Sequence, residues 1–119
     1  MQSDLISQKV SQTVPDRRRH PRYRFSAPIT IRSGDGLAIK GISIEISQSG
    51  MSAITADSLT LNDTVELEPI AAGKASAIVR RVTGRVYGLE FLNLTPEQGQ
   101  RITEICRSLP LYQGKSLGI

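Results

Sequence analysis

Residues 23–32 read YRFSAPITIR, and the alternation in this stretch decides the fold class. Every second side chain from Tyr23 to Ile31 is apolar, while the residues between them are polar or proline. A period of two is typical of a β-strand with one buried face. Pro28 cannot donate a ladder hydrogen bond, so we expect this strand at a sheet edge or irregular at that residue.

Five further segments carry short apolar patterns bounded by turn residues, which is typical of an all-β fold. We therefore predict a mainly β protein, built as an antiparallel sandwich or a closed barrel of six strands. The five further strands are predicted at Leu37–Ser47, Met51–Thr55, Val65–Ile70, Ala75–Val82 and Arg85–Leu92.

The second predicted strand changes phase within its length. Its large apolar residues are odd-numbered at Leu37 and Ile39 and even-numbered from Ile42 to Ile46. A β-bulge at Lys40-Gly41 keeps both sets on one buried face. We then expect the alternate side chains to point away from the core, namely Ser43, Glu45 and Ser47.

The chain is predicted to close with one helix. Thr95-Pro96-Glu97-Gln98 combines a capping hydroxyl, a proline at the first helical position and a glutamine that completes a capping box. Pro110 ends the element. An apolar stripe that can cover the barrel is formed by Ile102, Ile105, Cys106 and Leu109.

With 119 residues, the chain is long enough for one conventional domain. We predict a flexible tail over residues 1–15, a domain over 16–109 and a second tail over 110–119. No apolar run approaches the length of a membrane span, and the first residues do not resemble a secretory signal. Cys106 is the only cysteine, so an internal disulfide is excluded. We expect a cytoplasmic protein without membrane insertion.

The positive charge is concentrated near the N-terminus. Five of the 15 basic residues lie at positions 17–24, and outside residues 16–24 there are 10 basic and 10 acidic residues. A compact arginine cluster favours a compact anion such as phosphate. A solvated basic tail is the alternative interpretation.

Catalytic constellations are mostly absent from the sequence. His20 is the only histidine, and its arginine neighbours disfavour the imidazolium that a catalytic relay forms. The acidic residues show no spacing that converges on a metal, and the glycines fit no nucleotide-binding fingerprint. We predict a protein that is not an enzyme and carries no metal or cofactor.

The arginine cluster and the second strand together suit a guanine nucleotide. Arg18 and Arg22 are four residues apart, and guanidinium groups hold phosphate through paired N–H bonds. A carboxylate at Glu45 can accept from the N1–H and N2–H2 edge of guanine. Ser47 offers a hydroxyl, and Gly50 permits a close backbone approach. As alternatives, Glu45 is an ordinary solvent-facing strand residue that pairs with an arginine, and Ser47 and Gly50 are turn signals alone.

At these residues the chain resembles the PilZ family, the small barrel receptors for the bacterial second messenger cyclic di-GMP. The resemblance spans about residues 16–108. The family's RxxxR motif is matched by Arg18 and Arg22, with Arg17 before them. Its [D/N]xSxxG motif is matched at Ser47 and Gly50, whereas Glu45 stands where the family has Asp or Asn. The stretch YGLEF at residues 87–91 is similar to the family's GVEF stretch.

The resemblance implies a six-stranded antiparallel PilZ-like barrel with a C-terminal helix and a flexible N-terminal lead-in. It also implies a noncatalytic cyclic di-GMP receptor that signals to a protein partner in motility, pilus or polysaccharide machinery. The alternative is a PilZ-like adaptor that binds the nucleotide weakly or not at all. Only five aromatic residues are present, so we do not expect a nucleic-acid module. The predicted ligand-binding residues are Arg17, Arg18, Arg22, Glu45, Ser47 and Gly50.

Overall fold

The computed structural model describes residues 20–70 and 73–111, which form seven strands and one helix. The predicted tail over residues 1–15 lies outside the described part, as does most of the tail over 110–119. The elements are β1 (Tyr23–Arg24), β2 (Pro28–Arg32), β3 (Ala38–Ile46), β4 (Gly50–Thr55), β5 (Thr64–Ile70), β6 (Gly73–Thr83), β7 (Val86–Leu92) and α1 (Pro96–Arg107).

Six of the strands form a closed antiparallel barrel. Their order is β3-β2-β5-β6-β7-β4, and pairing between β4 and β3 closes the ring. The short strand β1 is an addition that pairs with the C-terminal end of β3. The prediction of a mainly β, six-stranded antiparallel barrel with one C-terminal helix is confirmed. Among the described residues, no helix is long and apolar enough to cross a membrane.

The predicted first strand is interrupted, which gives β1 and β2. The hydroxyl of Ser43 lies at the break, where it accepts from the Ala27 amide at 2.9 Å and donates to the Phe25 carbonyl. Pro28 is the first residue of β2, a position that tolerates its missing amide hydrogen. The strand is therefore irregular near Pro28 as predicted, although β2 lies between β3 and β5 and is no sheet edge.

The predicted bulge at Lys40-Gly41 is wrong. Gly41 is in regular register opposite Ile29 and Thr55, and the irregularity falls between Ser43 and Glu45. The phase argument assumed that Ile42 is buried, whereas 56% of its surface is exposed. Because the extra residue comes later, Ser43 faces the core opposite Ala53, contrary to the expected outward orientation.

The helix packs against the barrel through Ile102 and Cys106, which join the buried core. Its N-terminus has the predicted capping box, formed between Thr95 and Gln98. After the helix, the chain returns to the lead-in: the Arg24 amide donates to the Pro110 carbonyl at 2.8 Å. Strand β1 is thereby held between β3 and the segment that follows α1.

Candidate functional site

A row of cross-strand neighbours crosses the outer face of the barrel. Successive partners along it are Arg24 on β1, Glu45 on β3, Ser52 on β4, Gly88 on β7 and Arg81 on β6. Directly opposed residues of neighbouring strands share one face of a sheet. The adjacent row, which includes Ile46, Met51 and Leu89, forms part of the core, so the first row faces outward. We call it the outer row.

Two β-bulges place Glu45 and Arg81 in the outer row. Ile44 is the extra residue in β3, just before Glu45, and Arg80 is the extra residue in β6, just before Arg81. Without these insertions the alternation would direct Glu45 and Arg81 inward. Bulges commonly re-aim side chains beside functional sites.

The carboxylate of Glu45 is fully buried, although the residue lies on the outer face. The Ser52 hydroxyl donates to its Oε2 at 3.1 Å, and Nη1 of Arg22 lies 3.4 Å from its Oε1. The interpretation of Glu45 as an exposed strand residue is therefore wrong. A charge removed from water requires an opposite charge and hydrogen bonds, and Arg22 and Ser52 supply them.

Arg22 is positioned by the two ends of the described chain. It directly precedes β1, and its side chain is only 7% exposed. Strand β1 pairs with β3 on one edge, while Tyr23 forms a bridge to Leu111 on the other. The buried guanidinium is thus held against Glu45 by backbone pairing on both sides. Arg17 and Arg18 lie outside the described residues.

Ser47 closes the turn between β3 and β4. Its amide donates to the Gly50 carbonyl at 2.8 Å, and its hydroxyl accepts from the Ser49 amide at 3.1 Å. Ser47 was expected to point away from the core, and it is buried. The structure therefore gives Ser47 a role in the turn.

Gly50 is required by the pairing of β4 with β7. A Cβ atom at this position would lie 2.2 Å from the carbonyl oxygen of Leu89, which is far inside van der Waals contact. The close approach that the sequence suggested at Gly50 is thus made by the protein's own backbone. Gly50 begins β4, so the two matched positions of the second motif, Ser47 and Gly50, lie with the unmatched Glu45 around the turn from β3 to β4.

The sequence analysis missed the other members of the outer row. Ser52 and Gly88 carry no charge, so only pairing with Glu45 and Arg81 reveals them. The sequence held a signal for Arg81, because the alternate residues Ala75, Ala77 and Val79 are apolar and the same alternation leads to an arginine. A charged residue at an expected inward position indicates a bulge.

Other charged groups have separate partners. Arg80 donates from Nε to the Glu90 carboxylate at 2.6 Å on the barrel surface.

Burial raises the pKa of the Cys106 thiol to about 11. No group of three or more metal-ligating side chains occurs within residues 20–70 and 73–111.

Comparisons with solved structures give barrels of the same fold. The PilZ domain with c-di-GMP of YcgR from Escherichia coli aligns with a TM-score of 0.63 at 18% identity, covering 79% of this chain and 92% of that one. The PilZ domain of CeSA from a cellulose-synthesizing bacterium has a TM-score of 0.59 at 14% identity, with coverages of 73% and 95%. The Bacillus subtilis inhibitor of motility MotI/DgrA has a TM-score of 0.63 at 20% identity, with coverages of 79% and 51%.

The curated proteins contain no significant match to this sequence. The family comparison is decisive, because the PilZ domain matches residues 16–108, which is most of the chain. The same range contains the barrel, both sequence motifs and the closing helix. The protein therefore belongs to the PilZ domain family.

Proposed function

We propose that this protein is a noncatalytic receptor for cyclic di-GMP, which binds between the arginine-rich lead-in and the outer face of the barrel. The observation that carries the proposal is the buried pair of Arg22 and Glu45, which joins the two family motifs at one place. The E. coli YcgR domain, which has this fold, was solved with c-di-GMP.

The arginines supply the phosphate-binding groups. Arg22 presents a guanidinium, whose planar set of N–H donors suits phosphate oxygens, at the junction of the two motifs. Arg17 and Arg18 precede it in the sequence and bind the same ligand once the lead-in closes around it. The free energy of these charged contacts offsets the conformational entropy that the lead-in loses when it becomes ordered.

Glu45 reads the guanine base in this proposal. Its carboxylate is the acceptor for the N1–H and N2–H2 edge, and the Ser52 hydrogen bond fixes its orientation. In the ligand-free protein the same carboxylate contacts Arg22. Ligand binding therefore exchanges an internal ion pair for contacts with phosphate and base, which lowers the net gain in free energy.

Ser47 and Gly50 serve the ligand by shaping the end of β3. The Ser47 hydroxyl and Gly50 hold a tight turn against β7, where the Phe91 amide donates to the Ser49 carbonyl at 2.9 Å. The rigid turn keeps Glu45 and Ser52 opposite each other. We place the receptor in the cytoplasm and assign its output to a protein partner in motility, pilus or polysaccharide machinery.

Calorimetric titration of the full chain tests the proposal. We expect saturable heat with cyclic di-GMP at tens of micromolar, and at least about 10-fold weaker binding of cyclic di-AMP, because guanine alone offers two donors to Glu45. A linear DNA oligonucleotide should give only weak binding that is lost as salt rises. Absence of saturable heat with cyclic di-GMP would refute the receptor.

A second candidate is an adaptor that binds another protein without the nucleotide. Two observations favour it: Glu45 already contacts Arg22 and Ser52 within the protein, and Ile42 lies opposite Ile54 with both side chains exposed. Exposed apolar neighbours are typical of a protein contact surface. The adaptor predicts no response to either dinucleotide and loss of partner binding in Ile42→Asp.

A further inference from the structure

We propose that Arg81 on β6 is an additional anion-binding residue that contacts a phosphate of the bound dinucleotide. The inference rests on the proposed function and extends the site beyond the two family motifs. It places a cation at the end of the outer row opposite to Glu45.

The bulge at Arg80 determines which way Arg81 faces. Val79 is fully buried opposite Leu89, and the next paired residue is Arg81, opposite Gly88. The extra residue turns Arg81 from the core side to the outer face. The bulge before Glu45 does the same at the other end of the outer row, so two independent irregularities bring opposite charges onto one line.

The charge environment of Arg81 distinguishes it from its neighbour. Arg80 is bound to Glu90 through a 2.6 Å contact, which satisfies its charge. Arg81 is exposed, and its side chain forms no ion pair or hydrogen bond within the part of the chain that the structure describes. An exposed guanidinium with no carboxylate partner attracts an anion, and phosphate suits its paired donors.

The spacing along the outer row fits one extended ligand. Glu45 and Arg81 are separated by β4 and β7, which corresponds to about 14 Å at the usual distance between strands. Between them lie only Ser52 and Gly88, which are small and buried, so no bulky side chain rises from the row. Glu45 is buried whereas Arg81 is exposed, so Arg81 is the end that an incoming ligand meets first.

Titration of Arg81→Gln with cyclic di-GMP tests the inference. We expect the affinity to fall about 10-fold to 100-fold and its salt dependence to flatten, because a charged phosphate contact is removed. Arg81→Lys, which keeps the charge, should retain most of the affinity. Arg101→Gln on α1 is the matched control, since it removes one exposed arginine elsewhere, and should bind within about two-fold of the wild type.

The outcomes separate the subsite from the receptor. If the wild type binds cyclic di-GMP and Arg81→Gln binds it with the same affinity, the subsite at Arg81 is refuted and the proposed receptor function is not. Equal losses in Arg81→Gln and Arg101→Gln also overturn the subsite, because the effect is then one of net charge. A wild type that does not bind refutes the receptor and the subsite together. Thermal melting of each variant should match the wild type, since Arg81 is exposed.

Discussion

Arg22 directs its guanidinium at the buried carboxylate of Glu45, with 3.4 Å between Nη1 and Oε1. The pair joins a lead-in residue to the end of β3, across the junction of the two motifs. Ser52 donates to the other carboxylate oxygen at 3.1 Å. The contact gives both residues a structural role in addition to the binding role we propose, so substitutions here are expected to alter stability as well as affinity.

Replacement of Arg22 by alanine is expected to destabilise the ligand-free protein. A sequence-based argument that Arg22 has no packing role predicts unchanged thermal unfolding, but the buried position of Arg22 contradicts that premise. Arg22→Ala removes the cation from a buried carboxylate, which costs about 2 kcal/mol or more in unfolding free energy. Urea denaturation measures the loss.

The loss of stability in Arg22→Ala should be partly reversed when the charge of Glu45 is also removed. Arg22→Ala/Glu45→Gln is expected to recover stability relative to Arg22→Ala alone, because no buried charge remains. Arg24→Ala, an exposed neighbour on β1, is the control and should change the free energy by less than about 0.5 kcal/mol. Equal stability of Arg22→Ala and wild type would contradict the structural role.

The same substitution should weaken cyclic di-GMP binding by about 2–4 kcal/mol, because a multidentate phosphate contact is lost. Titration at a temperature where Arg22→Ala stays folded separates this loss from instability. Full retention of affinity in Arg22→Ala, together with its abolition in Arg80→Ala, would place the ligand on a different face.

Glu45→Asp tests whether position 45 contacts the base. The shorter side chain withdraws the carboxylate by about 1.5 Å, roughly one carbon–carbon bond. We expect lower stability by about 1 kcal/mol, since the contacts with Ser52 and Arg22 lengthen, and tighter cyclic di-GMP binding, since aspartate restores the carboxylate position of the family motif. Calorimetry and urea denaturation measure the two effects. An unchanged affinity would show that position 45 does not read the guanine.

Gly50→Ala is expected to destabilise the barrel by about 1–3 kcal/mol or more, because the new methyl group overlaps the Leu89 carbonyl and separates β4 from β7. Gly34→Ala is the matched control. Apart from the adjacent residues of the chain, no heavy atom lies within 4 Å of a Cβ at position 34, so the stability of Gly34→Ala should change little. Comparable melting temperatures for the two variants would rule out the steric role of Gly50.

The Cys106 thiol is expected to resist alkylation in the folded protein. Its pKa is raised to about 11 by burial, from 9.0, so the thiolate fraction at pH 8 falls about 100-fold. Iodoacetamide should modify Cys106 rapidly only after unfolding in urea. Rapid alkylation of the native protein at pH 8 would show that the thiol is accessible.

The raised pKa also has a consequence for stability against pH. The unfolded chain releases the thiol proton near pH 9, and the folded chain releases it near pH 11, so unfolding is favoured increasingly between those values. The neutral thiol therefore contributes its full stabilisation of the folded state below about pH 9, and this stabilisation is lost as the pH rises towards 11. Urea denaturation of wild type and Cys106→Ala from pH 8 to 11 should show a steeper decline for the wild type.

Most of the secondary structure could be predicted because it depends on local patterns. The alternation in YRFSAPITIR predicts a strand, and the capping box predicts a helix that begins at Pro96. Those signals depend on residues that are neighbours in the sequence, so tertiary packing does not change them. The bulge was misplaced because a phase change shows only that an extra residue exists nearby, and pairing with β4 decides where it lies.

The candidate site was predictable in its residue types and not in their environments. Arg22 and Glu45 stood out as an arginine and a carboxylate in motif positions, and the sequence predicted that both face solvent or ligand. Burial of the pair depends on β1 lying between β3 and the segment after α1, residues far apart in the sequence. Arg81 likewise acquires its place only through cross-strand register.

By itself, the amino-acid sequence determined which segments are strands or a helix, where the positive charge is concentrated and which residues belong to the two motifs. Each of these features depends on the order of nearby residues. The tertiary structure alone decided that Glu45 is buried beneath Arg22, that Gly50 serves β7 and that Arg81 faces outward. Those facts depend on barrel closure, which aligns strands in register and converts two one-residue insertions into one charged outer row.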